Sequence, residues 1–110
     1  MANAFKNKTH AEIGTSLTKI QGYDCPGSTE TTIIGLTIAN RVATVIQVDV
    51  TLNDASDDYY VVKDAPVPAG GALVVVGGDQ KLVMMPGDSI KVKSDTASSA
   101  DVIMSILEIT

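Results

Sequence analysis

One cysteine, Cys25, and one histidine, His10, are the residue types from which a nucleophile and its base are commonly built. His10 lies in a polar stretch near the start of the chain. Cys25 sits in Tyr23-Asp24-Cys25-Pro26-Gly27-Ser28, a turn by its Pro-Gly pair, and nothing else basic accompanies it. The pairing is unmet, and an ordinary turn thiol is expected. Asn53, Asp54, Asp57 and Asp58 gather oxygen ligands in one loop, as calcium sites do, but without an EF-hand pattern. A solvated acidic turn is expected there. Glu12, Glu30 and Glu108 are the only glutamates, all near strand ends, and nothing else points to a two-carboxylate hydrolase.

Gly70-Gly71 and Gly77-Gly78-Asp79 have the look of a phosphate loop, yet β-branched runs adjoin them where a helix N-terminus would be needed. They read as hairpin turns. Tyr59-Tyr60 places one ring on each face of a strand, giving one core ring and one surface ring, and an exposed Tyr is a common interface anchor. Met84-Met85 reads as core and rim. No catalytic, cofactor or metal residue is expected, and the chain is not expected to be an enzyme.

The elements that position these residues follow from composition. Of 110 residues, 13 are Val, 10 Ile and 11 Thr, stiff side chains that suit a pleated sheet. The length supports a single domain able to bury a core without disulfides. A net charge of -5 argues against a nucleic-acid partner. No apolar run nears the ~20 residues that span a bilayer, so no membrane partner is expected. The start, Met-Ala-Asn-Ala-Phe-Lys-Asn-Lys, lacks an apolar signal-peptide core, which implies synthesis in a reducing cytoplasm. Charged residues are only 19%, low for a chain whose surface is all wet.

Residues 1–11 are polar around Phe5 and read as an extended arm, with a β domain over 12–110. A short strand is expected over Glu12–Ile20, then strands over Thr31–Ala39 and Thr44–Leu52. Gly35 marks a bulge or a close backbone approach, and Ile34, Leu36 and Ile38 share a face. Ile46, Val48, Val50 and Leu52 alternate with Gln47, Asp49 and Thr51, the pattern of a half-buried strand with one wet face. Tyr59–Lys63 returns as its hairpin partner, and Pro66 and Pro68 mark an edge or a crossover. Ala72–Val76 is apolar on both faces, so both should be covered. Gln80–Met84, the Ile90–Val92 region and Asp101–Ile109 complete about eight strands. The fold class expected is all-β, a single antiparallel β-sandwich of jelly-roll or immunoglobulin-like type.

The stretch Asp64-Ala-Pro-Val-Pro-Ala-Gly-Gly-Ala-Leu-Val-Val-Val-Gly-Gly-Asp-Gln-Lys-Leu-Val83, with Met85–Val92 and Asp101–Ile109, resembles small virion structural proteins of tailed bacteriophages, most closely those of cyanophages. The resemblance spans roughly residues 31–110. It implies a β-sandwich subunit multiplied by symmetry on the virion. The expected role is a capsid decoration or cement protein, with a neck, tail or baseplate component as the alternative. A receptor- or carbohydrate-binding module ranks lower, because Phe 1, Tyr 3 and Trp 0 leave few aromatic platforms. The implied partners are the major capsid protein or another virion protein, and further copies of the chain as a dimer or trimer. The residues expected at interfaces are Phe5, Ile13 and Leu17 from the arm region, with Tyr59 and Tyr60 from the hairpin.

Overall fold

Period-two runs of β-branched residues become strands because alternate side chains can then share one buried layer. In a computed structural model, which describes residues 3–77 and 79–110, nine strands form. They are β1 (Asn3–Ile13), β2 (Thr18–Lys19), β3 (Glu30–Asn40), β4 (Ile46–Asn53), β5 (Asp58–Val67), β6 (Ala72–Val76), β7 (Leu82–Met84), β8 (Ser89–Ser94) and β9 (Ala100–Ile109). A single 3-10 turn covers Ile20–Gly22. The first sheet runs β1-β9-β3-β6, with β7 also on β3; the second runs β2-β8-β4-β5. Every pairing is antiparallel. Met1, Ala2 and Gly78, assigned from sequence to the arm and to a turn, lie outside the described residues.

The two sheets close on one core. Ile33, Leu36 and Ile38 of β3 and Val102, Met104 and Ile106 of β9 meet Ile46, Val48 and Val50 of β4 and Ile90 and Val92 of β8. The all-β class and the antiparallel architecture therefore stand as expected from sequence.

Several local expectations do not hold. The stretch read as an arm is β1, paired with β9 residue by residue from Asn3↔Ile109 to His10↔Val102. Its bonding is backbone bonding, which a polar stretch can supply without any apolar pattern to announce it. The strand expected over Glu12–Ile20 shrinks to Thr18–Lys19, because Glu12, Gln21 and Gly22 take positive φ and reverse the chain. Ile13 ends β1 at 1% exposure, inside the core.

Gly35 does lie at a bulge, where the register of β3 on β9 slips between Ile33↔Ile106 and Gly35↔Ser105. The slip moves Ile34 out of the core layer, so Ile33 rather than Ile34 joins Leu36 and Ile38. On β4, Asp49 and Thr51 are buried although they face outward. Asp49 is covered because β5 bulges beside it: Asp64, at φ 52, donates its N–H to Asp49 Oδ1 at 2.7 Å. The β5–β6 connection is a type II turn, in which Gly70 at φ 70 lets Gly71 N–H reach the Pro68 carbonyl at 2.9 Å.

Ile106 is fully buried at the centre of the first sheet. Ile106→Ala is expected to destabilise the fold by about 2–5 kcal/mol through lost transfer energy and a residual cavity. Urea unfolding checks this, and a cost below about 1 kcal/mol would mean the core collapses around the gap.

Candidate interaction face

The strongest functional feature is the contrast between the two outer faces of the sandwich. The register turns Asn3, Phe5, Asn7 and Thr9 of β1 outward beside Ile109, Leu107, Ser105 and Ile103 of β9. Thr32, Ile34, Thr37 and Ala39 of β3 continue the face, and Val74 and Val83 extend it on β6 and β7. Glu30 stands at one end, and at the other Asp101 binds Arg41 Nη1 at 3.0 Å. Between those ends, no described residue on this face is charged. Phe5 is 76% exposed, Val74 65%, Ile103 55% and Val83 52%. The outer face of the second sheet is ionic instead, with Lys91 and Lys93 of β8 beside Thr51 and Asp49 of β4.

Val74 of β6 is exposed on this face. The run Ala72–Val76 called for cover on both faces, and within this chain it has cover on one. The two-layer architecture explains why: the opposite sheet reaches only the inner side of the strand.

The residues expected at interfaces are not gathered in one place. Phe5 lies on the uncharged face, whereas Ile13 is core and offers nothing to a partner. Leu17 is 37% exposed in the link between β1 and β2. Tyr59 and Tyr60 lie on β5, the outer strand of the other sheet. Both Tyr rings are more than half exposed, so neither is the expected core ring. Tyr59 does sit on the inner side opposite Leu52, but at the hairpin end, past the cover of the first sheet. The charges of Asp54 and Asp57 push its phenol pKa up. Sequence reasoning missed Ile103, Val83 and Val74. The signal available was β9, whose outward positions Ile103, Leu107 and Ile109 are as apolar as its inward ones.

The acidic loop uses its oxygens on itself. Asp54 Oδ1 accepts from the N–H groups of Ser56 and Asp57 at 3.0 and 2.8 Å, and Asn53 Oδ1 accepts from Ala55 N–H at 2.9 Å. Those backbone donors hold the Asp54 carboxyl below its ordinary value. Among the described residues no group of three or more His, Cys, Asp or Glu is placed to share a metal ion.

His10 and Cys25 are likewise apart. His10 Nδ1 accepts from Gln21 N–H at 3.0 Å while Gln21 Oε1 accepts from Thr9 N–H at 3.0 Å, a reciprocal clasp of the 3-10 turn onto β1. Cys25 is buried with its Sγ 3.2 Å from Thr31 Oγ1. From there a polar chain runs outward. Thr31 Oγ1 is 2.9 Å from Tyr23 Oη, Tyr23 donates to Glu108 Oε2 at 2.6 Å, and Glu108 Oε1 meets Lys6 Nζ at 2.9 Å. Burial and the neighbouring Glu108 push the Tyr23 phenol up. Lys6, then Tyr23, hold the Glu108 carboxyl down. This chain ties β1 and the 23–25 turn to the end of β9.

No family model matches the chain, and no curated protein does. Among solved structures, the fold is similar to a chain of Bacillus endospore appendages, described as a novel family of disulfide-linked pili. The TM-score is 0.53 at 12% identity, over 98% of this chain and 88% of that one. At that identity the likeness is one of fold.

A carboxyl lowered by folding contributes stability that is present above its unfolded value and lost as pH falls through the folded one. Glu108→Gln is therefore expected to cost about 1.5–3 kcal/mol at neutral pH, the range for hydrogen bonds to a charged group. The gap between variant and wild type closes as pH drops from the ordinary value of 4.5 through the lowered one. Urea midpoints across pH 3–7 read it out; a gap independent of pH would mean the ion pair is not what Glu108 supplies.

Proposed function

We propose that this chain is a structural protein of a tailed-bacteriophage virion, of the capsid decoration or cement type. It docks by the uncharged outer face of the first sheet onto the protein shell. The observation that carries this reading is that face, with Val74, Ile103 and Phe5 uncovered and charge confined to its ends. Desolvating such a surface is favourable at roughly 25 cal/mol per Å² of apolar area, with no buried charge to offset it. The ionic face of the second sheet then stays toward water. A subunit that binds the mature shell and not its precursor stabilises the shell by mass action, and many copies on one lattice add avidity.

Placing a charge in the docked face tests the reading. Val74→Lys and Ile103→Lys are each expected to lower occupancy on mature shells about tenfold or more, the ratio that corresponds to 1.4 kcal/mol. Substitution of Lys91 on the opposite face is expected to leave occupancy unchanged. Particles that lack the chain, or shells that bind both face variants normally, overturn the proposal. Copy number per particle distinguishes a lattice cover from a neck or tail ring.

A second reading, a filament subunit, is supported by the fold likeness to the endospore pili. Those pili are disulfide-linked, whereas the single cysteine here is 2% exposed and enclosed by Thr29, Thr31 and Met84. Any filament of this chain would be non-covalent. Cys25 is expected to resist thiol reagents in the native state and to react fully in denaturant; rapid native labelling would reopen a covalent linkage.

A further inference from the structure

Five strands form the four edges of the two sheets, β6 and β7 sharing one beside β3, and three of those edges are blunted. β5 carries Pro66 and two register slips against β4, with Lys63 and Asp64 paired on its surface at 3.3 Å. β2 has two residues and β7 three, while β6 is a short strand of five. β1 differs: its register on β9 is unbroken from Asn3 to His10, with neither proline nor bulge. An antiparallel ladder alternates inward and outward backbone groups, and Thr9 fixes the phase here. Its N–H leaves the sheet to reach Gln21 Oε1 at 3.0 Å, so the N–H groups of Asn7, Phe5 and Asn3 also point away from β9. Gln21 closes the edge at Thr9. From Asn3 to Asn7 it stays open.

We propose that this open edge pairs antiparallel with the same edge of a second copy, about a two-fold axis at Phe5. Asn3 then faces Asn7 of the second copy and Phe5 faces Phe5, and about six backbone hydrogen bonds form in narrow pairs. That register uses every outward group of the segment. A shift of one pair would instead bring Thr9, already bound by Gln21, into the ladder.

The side chains agree with the backbone. On the outer face the two Phe5 rings meet beside Leu107 of each copy, so the uncharged faces join into one continuous surface twice as wide. On the inner side Lys6 comes opposite Ala4 of the second copy, and each ammonium already holds its own Glu108 at 2.9 Å. No like charges are set directly opposite one another, the arrangement that destabilises cross-strand pairs. The contact is isologous and closes on itself, as a two-fold dimer requires. It does not depend on the virion reading, since oligomeric state in solution and occupancy on shells are separate measurements.

Sedimentation of the full chain tests the proposal. Wild type is expected to run as a dimer. Asn7→Pro is expected to run as a monomer with an unchanged urea midpoint, because Asn7 N–H points away from β9 with no partner among the described residues, and Pro is tolerated on such an edge. Phe5→Cys provides a second route: opposed residues of a narrow pair lie about 5.5 Å apart at Cα, within disulfide reach. Mild oxidation should link it to itself; Asn3→Cys should link to Asn7→Cys and not to itself. A wild-type monomer at every concentration, a dimer that survives Asn7→Pro, or self-linking of Asn3→Cys would overturn it.

Discussion

β9 is hydrogen-bonded along its length on both sides, to β1 and to β3, and the arrangement of the molecule depends on that strand. Its inward residues Val102, Met104 and Ile106 form the floor of the core. Its outward residues Ile103 and Leu107 form the middle of the uncharged face. At its end Glu108 receives Tyr23 and Lys6, fastening the 23–25 turn and β1 to the sheet. Because side chains alternate with a period of two, a one-residue slip of β9 would exchange the core set for the surface set. Fixing its register therefore fixes core, face and polar chain together.

How much of this was legible in the residues depended on what each strand buries. β4 is legible with nearly correct bounds, because Ile46, Val48 and Val50 alternate with polar residues and one sheet covers one side. β3 is legible and Gly35 marks its irregularity, as a bulge or a close backbone approach, yet strict alternation puts Ile34 on the wrong side because the bulge interrupts it. β1 was invisible: a strand held by backbone ladders and by Lys6–Glu108 need show no apolar period. Ile13 went to the wrong role for the same reason, being the one residue of β1 that enters the core.

The face itself was half legible. The double-sided apolar character of Ala72–Val76 was plain in the sequence and correctly demanded cover; the error lay in assuming that the chain supplies it. Tyr59 and Tyr60 show the reverse case. Their alternation was right, but where the opposing sheet stops cannot be read from local residues, so the inner ring of the pair is exposed as well.

The pairing of Asn3 with Ile109 also bears on how the chain folds. The first and last strands are neighbours, so their contact closes the longest loop the described chain can make. Loop-closure entropy must be met before that contact returns any stabilisation, and such non-local pairings slow folding. The β1–β9 pairing is thus among the contacts expected to form late. A circular permutant that joins Ile109 to Asn3 through a tight turn would convert this most distant contact into a hairpin. The native sheet order would be retained, and folding is expected to be faster.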